Sequence, residues 1–199
     1  MRSAVRFCLV ALWAAGAFFG QSAQARIAET SEQGIVLRYV AAVPGSPEKA
    51  WTVLVAPALW WDGAHSYSGD SANLTIDPRA GGCFCERLPA SAGDGAGKDD
   101  RGSVEHMRVI HADKARLLRM SGALGPLQAE AVQGAMTFTL APLEDRGQGG
   151  TRIVVEYVLG GYSRAGLSRI APAVDAVLGS QIERLARKLG GRIEPEAAR

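Results

Sequence analysis

The residues of this 199-residue chain with the most reactive side chains sit close together in sequence. Cys83 and Cys85 flank Phe84, and two thiols at i and i+2 on a strand point to one face, which raises a redox or a metal role. Strand geometry argues against a bridge between them. The Cα atoms of such a pair lie about 6.5 to 7 Å apart, at or beyond the upper end for a disulfide, with near-parallel Cβ vectors. Zinc needs four ligands, and the remaining soft candidates are His65, His106 and His111. No spaced ligand pair accompanies the cysteines, so two small half-buried side chains are expected, with no metal and no other cofactor.

Carboxylates supply a second set. Glu86, Glu105 and Glu156 fall inside strand-like segments, and Glu86 shares a face with Phe84 and Leu88. If that face is the inner one, Glu86 is a polar handle in an apolar pocket with a raised pKa. If it is the outer one, Glu86 is a solvated charge or the partner of a neighbouring arginine. His106 and His111 differ by an odd number and so face opposite sides of a regular strand, while His65 lies in a polar loop. There is no Gly-x-Ser-x-Gly elbow. Gly81-Gly82 is followed by neither Lys-Ser/Thr nor a helix, which excludes a phosphate loop.

The larger apolar residues form a third set. Trp60, Trp61, Phe84, Met107, Met120, Met136, Phe138 and Tyr157 fall on elements able to converge between a sheet and a helix, with Val174 opposite them on that helix. They either line a cavity, where methionine adapts to irregular ligands and tyrosine directs one hydrogen bond, or fill a closed core.

The elements that position these groups follow from periodicity. Ile35 to Val43 alternates as a strand. Ser46 is placed to accept from an orphan N–H at a helix start, Pro47 suits the first helical position, and Glu48 suits the positive first turn. Ala50, Trp51 and Leu54 share a face before Pro57 ends the helix, and a second short helical piece carries Trp60 and Trp61. Strands are expected over Leu74–Pro78, Cys83–Leu88, Ser103–His111, Ala115–Ser121, Ala131–Leu140 and Thr151–Leu159, the last two as a hairpin. Pro89 to Gly102 is a loop. Leu167, Ile170, Val174, Val177, Leu178, Ile182, Leu185 and Leu189 recur at helical spacing, and Gly190-Gly191 stops the helix. Pro172 predicts a kink, or a short helix followed by the main one.

At the N-terminus, Arg2 and Arg6 precede an apolar run, and Ala23-Gln24-Ala25 supplies small residues for cleavage. This is the pattern of a secretory signal peptide over residues 1–25. Phe7 to Gly20 spans only fourteen residues, short of the roughly twenty needed to cross a bilayer. Removal of the signal takes two of the 22 basic residues, leaving 20 against 20 acidic ones. The exported product, periplasmic or secreted, is then formally neutral. It lacks the basic footprint of a nucleic-acid-binding protein and has no electrostatic anchor for more than transient membrane contact. Arg184, Arg187, Lys188 and Arg192 read as a solvated helix face. Residues 26–33 form an N-terminal tail, 34–190 one domain, and 191–199 a C-terminal tail.

Strands, short helices, more strands and one long helix make an α+β domain. With Ser46-Pro47-Glu48-Lys49-Ala50-Trp51 opening a helix and Gly81-Gly82-Cys83-Phe84-Cys85-Glu86 opening a strand, the chain resembles the START-like, or SRPBCC, superfamily. The likeness is to the branch with Hsp90-ATPase-activator homology and polyketide-cyclase-like proteins, over roughly Gly34 to Leu189. The resemblance implies a helix-grip fold: a curved antiparallel sheet of about six to seven strands around the long C-terminal helix, with two short helices after the first strand. It implies an apolar cavity between sheet and helix. Three functions follow. One is binding of a small hydrophobic molecule or lipid without covalent chemistry. Another is a cyclase or aromatase activity with Glu86, His106 and Tyr157 moving protons. The third is a protein-interaction module of the Hsp90-activator type, against which export argues. Oligomeric state is left open.

Overall fold

The computed structural model describes residues 27–90, 101–143 and 149–195. The residues assigned to the signal peptide and most of the Pro89–Gly102 loop lie outside the described residues. Among the described residues one curved antiparallel sheet holds nine strands, and a long C-terminal helix packs on it. The strands are β1 (Ile27–Thr30), β2 (Gly34–Pro44), β3 (Leu74–Ile76), β4 (Cys83–Arg87), β5 (Ser103–Asp113), β6 (Leu117–Gly122), β7 (Ala131–Pro142), β8 (Gly150–Tyr162) and β9 (Arg192–Ile193). Their order across the sheet is β1-β2-β8-β7-β6-β5-β4-β3, with β9 also on β2. The helices are α1 (Pro47–Leu54) and α2 (Leu167–Lys188).

Alternation sets the inner face. In the β7–β8 hairpin, Met136 pairs with Tyr157, Phe138 with Val155 and Leu140 with Ile153, and all six side chains are buried. On β2, Ile35, Leu37, Tyr39, Ala41 and Val43 are buried in the same rhythm. Burying each large side chain stabilises by about 1.5–3 kcal/mol, so this period-two pattern fixes the register.

The two strands beyond the expected count are β1 and β9. Both fall in segments read as tails, and both pair with β2. At four and two residues they are too short to show alternation.

The helix at Ser46 also differs in detail. Ser46 occupies the N-cap with extended backbone but makes no side-chain cap bond; its hydroxyl bonds Glu48, whose carboxyl that contact, with the Glu48 backbone N–H, holds below its ordinary value. The expected second helical piece is a 3-10 turn, Pro57–Leu59, that ends just before the two tryptophans.

α2 runs unbroken through Pro172, without the separate short helix. Pro172 lies in the second turn, so only the Ser168 carbonyl loses a helical donor. Tertiary bonds hold both sides of it: the Ser168 hydroxyl donates to Glu32, and the buried Tyr39 hydroxyl donates to Asp175 Oδ1 at 2.7 Å. The helix stops where expected. Gly190 takes φ +80°, and the Gly191 N–H donates to the Ala186 carbonyl at 2.8 Å, a left-handed cap suited to glycine.

Candidate functional site

The apolar stripe of α2 is wider than the core it covers. Leu178, Ile182 and Leu185 are buried, whereas Ile170 and Val174 are half-buried and Val177 is exposed. These last three, with Leu178, form one wall of a cavity of about 570 Å³. Leu124 and Leu127, at the 3-10 turn Gly125–Ala129, form a second wall. Trp61, His65 and Tyr67 approach from the turn after α1, and Tyr157 of β8 and His106 of β5 from the sheet. The volume lies within the roughly 300–1,000 Å³ of small-molecule pockets.

A β-bulge delivers the histidine. Phe84 pairs with Met107 and Cys85 with Glu105, so His106 is an extra residue with no partner on β4. The irregularity turns two consecutive side chains, His106 and Met107, to the buried side, which a regular strand forbids. Glu86 enters the interior from β4 by ordinary alternation and is 1% exposed. His106 Nε2 lies 2.8 Å from Glu86 Oε2. The same carboxylate accepts from the backbone N–H groups of Tyr67, at 3.1 Å, and Ser68, at 2.5 Å. Around this pair, Tyr67 stacks on the His106 ring at 6.0 Å and Phe84 tilts against it at 5.0 Å.

The carboxyl is not the raised-pKa group that an inward glutamate suggested. Burial pushes the Glu86 carboxyl up, but hydrogen bonds from the Ser68 hydroxyl and N–H, the Tyr67 N–H and His106 together outweigh it and hold the pKa below its ordinary value. Glu86 is therefore an ionised acceptor. Tyr157 goes the other way: burial pushes its phenol up to about 12, against a hydrogen bond with the Leu124 backbone. It is a neutral group, its hydroxyl 3.4 Å from the Gly122 carbonyl.

Cys83 and Cys85 form a disulfide, contrary to the expectation from an ideal strand. The Cα atoms are 5.4 Å apart, inside the usual 4.4–6.8 Å window and shorter than an ideal strand gives, and the pair flanks the register shift between Phe84 and Cys85. The bridge lies on the outer face, behind Phe84. His111 is exposed, and among the described residues no group of three or more His, Cys, Asp or Glu is arranged to hold a metal ion. No helix among them is long and apolar enough to cross a membrane.

The residues singled out in the sequence divide into three groups. Trp61, Tyr157 and Val174 lie on the cavity wall. Phe84 and Glu86 stand directly behind it, Phe84 in edge contact with Trp61 at 5.3 Å. Met120, Met136 and Phe138 are in the closed core, as is Trp60, whose Nε1 donates to the Leu54 carbonyl at 3.2 Å. Met107 is buried too, beside His106. Ile170, Val177 and Leu178 were visible as part of the α2 stripe. Tyr67, Leu124 and Leu127 come from segments without periodicity, and nothing in the sequence singles them out.

No family model matches this chain, and no curated protein matches it. Solved structures do. Mll3558 from Rhizobium loti is 20% identical, covering 78% of this chain and 97% of its own, with a TM-score of 0.53. SA2116 from Staphylococcus aureus, a protein of unknown function, is 14% identical over 79% and 94%, with a TM-score of 0.50. A point mutant of norcoclaurine synthase from Thalictrum flavum, in complex with a transition-state analogue, is 16% identical over 81% and 97%, also at 0.50. At these identities the likeness is one of fold, the helix-grip arrangement of sheet and C-terminal helix.

Proposed function

We propose that this chain is an exported START-like protein that binds a small hydrophobic molecule between its sheet and α2 without covalent chemistry. The observation that carries the reading is the uncovered stripe of α2. Ile170, Val174 and Val177 turn apolar surface toward a space of about 570 Å³, and such surface gains about 25 cal/mol per Å² when a ligand removes it from water, before ordering costs. Export is supported by the signal-peptide pattern of residues 1–25 and by the Cys83–Cys85 bridge, since disulfides persist in oxidising compartments.

The test is native mass spectrometry of the protein isolated from its own host, followed by denaturation. A reproducible small apolar molecule released on denaturation is the expected result. An empty protein that also takes up no apolar probe overturns the reading.

One observation favours a second reading. Glu86 and His106 form a hydrogen-bonded titratable pair at the cavity, as a proton-moving enzyme of the cyclase or aromatase type requires. Turnover in a substrate screen, lost in Glu86→Gln, would select it.

A further inference from the structure

A bridge across so few residues adds little to stability. Cys83 and Cys85 are two apart in sequence, and closing so short a loop constrains the unfolded chain only slightly. Both are half-buried on the outer face of the sheet, within reach of a thiol in solution, and accessible bridges are the labile ones. The two sulfurs have different neighbours. Arg108 stands opposite Cys83 in the β4–β5 register and Glu105 opposite Cys85, on the same face at cross-strand distance. Thr75 of β3 is opposite Cys85 on the other side.

The residues between and beside the cysteines point inward, to the cavity. Phe84 is buried against Trp61 of the cavity wall, ring to ring at 5.3 Å. Glu86 holds the N–H groups of Tyr67 and Ser68, in the turn whose Ser66 and Tyr67 line the cavity. The bridge keeps the Cys83 and Cys85 Cα atoms 5.4 Å apart, about 1 Å closer than ordinary strand spacing sets. Upstream the strand is fixed: the Gly81 N–H and the Gly82 carbonyl both bond Val109, and the Cys83 carbonyl accepts from the Asp77 N–H. Lengthening of the Cys83–Cys85 span therefore moves Phe84 and Glu86, and with them Trp61 and Tyr67.

We infer that the Cys83–Cys85 bridge is a thiol–disulfide exchange site for dithiols, and that opening it loosens the cavity wall and weakens ligand binding. The first thiolate of the dithiol attacks Cys85 Sγ. A new S–S bond forms there, the Cys83–Cys85 bond breaks, and the electron pair leaves on Cys83, opposite Arg108 and not opposite Glu105. The second thiolate of the same reductant then displaces Cys85. The dithiol ends oxidised to its own disulfide, and its protons pass to the two cysteines. The ligand half of the inference rests on the binding reading proposed above; the exchange and the movement of Trp61 do not.

The experiment treats the folded full chain with dithiothreitol. Alkylation followed by peptide mass spectrometry should find Cys83 and Cys85 open while the circular dichroism of the fold persists. In the reduced form the Trp61 indole N–H signal should shift in an NMR spectrum. An apolar fluorescent probe should bind it about two- to tenfold more weakly, as expected when one loosened side chain must be ordered again. Reoxidation should restore both, and a Cys83→Ser/Cys85→Ser variant should match the reduced form with or without reductant. A bridge that opens only on denaturation, a fold lost on reduction, or equal probe affinity in the two forms overturns the inference and leaves the binding reading intact. If neither form binds the probe, the binding reading falls and the Trp61 signal decides the rest: a shift on reduction sustains the redox coupling, and no shift ends it.

Discussion

His106 and Glu86 are joined by a 2.8 Å hydrogen bond across a bulge in the sheet, with both side chains at least nine-tenths buried. The bond locks a histidine that would otherwise point outward, and it does so with a carboxylate already committed to two backbone N–H groups. Glu86→Gln replaces a carboxylate that accepts from the Tyr67 and Ser68 N–H groups and from His106 by one carbonyl and an amide that confronts donors. The expected cost is about 1–3 kcal/mol in urea unfolding, with an outward-pointing control such as Glu156→Gln near zero.

The pH dependence has a defined sign. The folded pKa of Glu86 is lowered below the ordinary 4.5, so the folded state favours the ionised form. Its contribution is complete above the unfolded value and is lost as pH falls through the folded one. Melting temperatures of the wild type and Glu86→Gln should therefore differ by a constant amount from neutrality down to about pH 5 and converge in more acid solution. A gap that persists undiminished below the folded pKa would contradict the assignment.

Packing and cavity residues should respond oppositely to substitution. Phe138→Ala removes a side chain from the closed core and is expected to cost about 3–5 kcal/mol. Val174→Phe adds bulk where there is space, so it should leave the melting temperature near the wild-type value while abolishing uptake of an apolar fluorescent probe. If Val174→Phe instead unfolds the protein, that wall is core and not cavity.

Cys83 and Cys85 should be unavailable to an alkylating reagent in the denatured, unreduced protein and fully available after reduction, as read by peptide mass spectrometry. Since the bridge closes so short a loop, its removal should cost only about 1–2 kcal/mol. The more telling change is expected at Phe84, whose ring separates the bridge from His106: reduction should alter the histidine ring signals in an NMR spectrum.

The frame of this fold was readable because its elements are long and regular. β7 and β8 alternate over a dozen residues, and the α2 stripe extends past twenty, so period alone assigns them. The resemblance in the α1 and β4 segments then placed the helix against the sheet. What escaped was local. His106 seemed to be an ordinary strand residue because a one-residue bulge leaves no periodic trace, and the distance argument against the disulfide assumed an ideal strand spacing that β4 does not keep. Glu86 was recognised as a candidate by its face, but the sign of its shift depended on the Tyr67 and Ser68 N–H groups, which belong to a turn with no pattern of its own. Trp60 and the core methionines shared composition with the cavity wall, and only three-dimensional packing separates them.

The two short strands on β2 have a further consequence. β2 is eleven residues long, and its side away from β8 would offer an extended row of unpaired backbone groups to any other chain. β1 covers Ile35 to Leu37, β9 covers Ala41 and Ala42, and the Glu194 N–H takes the Val40 carbonyl between them. The sheet instead terminates in β1 and β3, of four and three residues, lengths too small to template strand addition. Trimming β9 would expose that row and should be seen first as self-association on concentration, before any loss of the cavity.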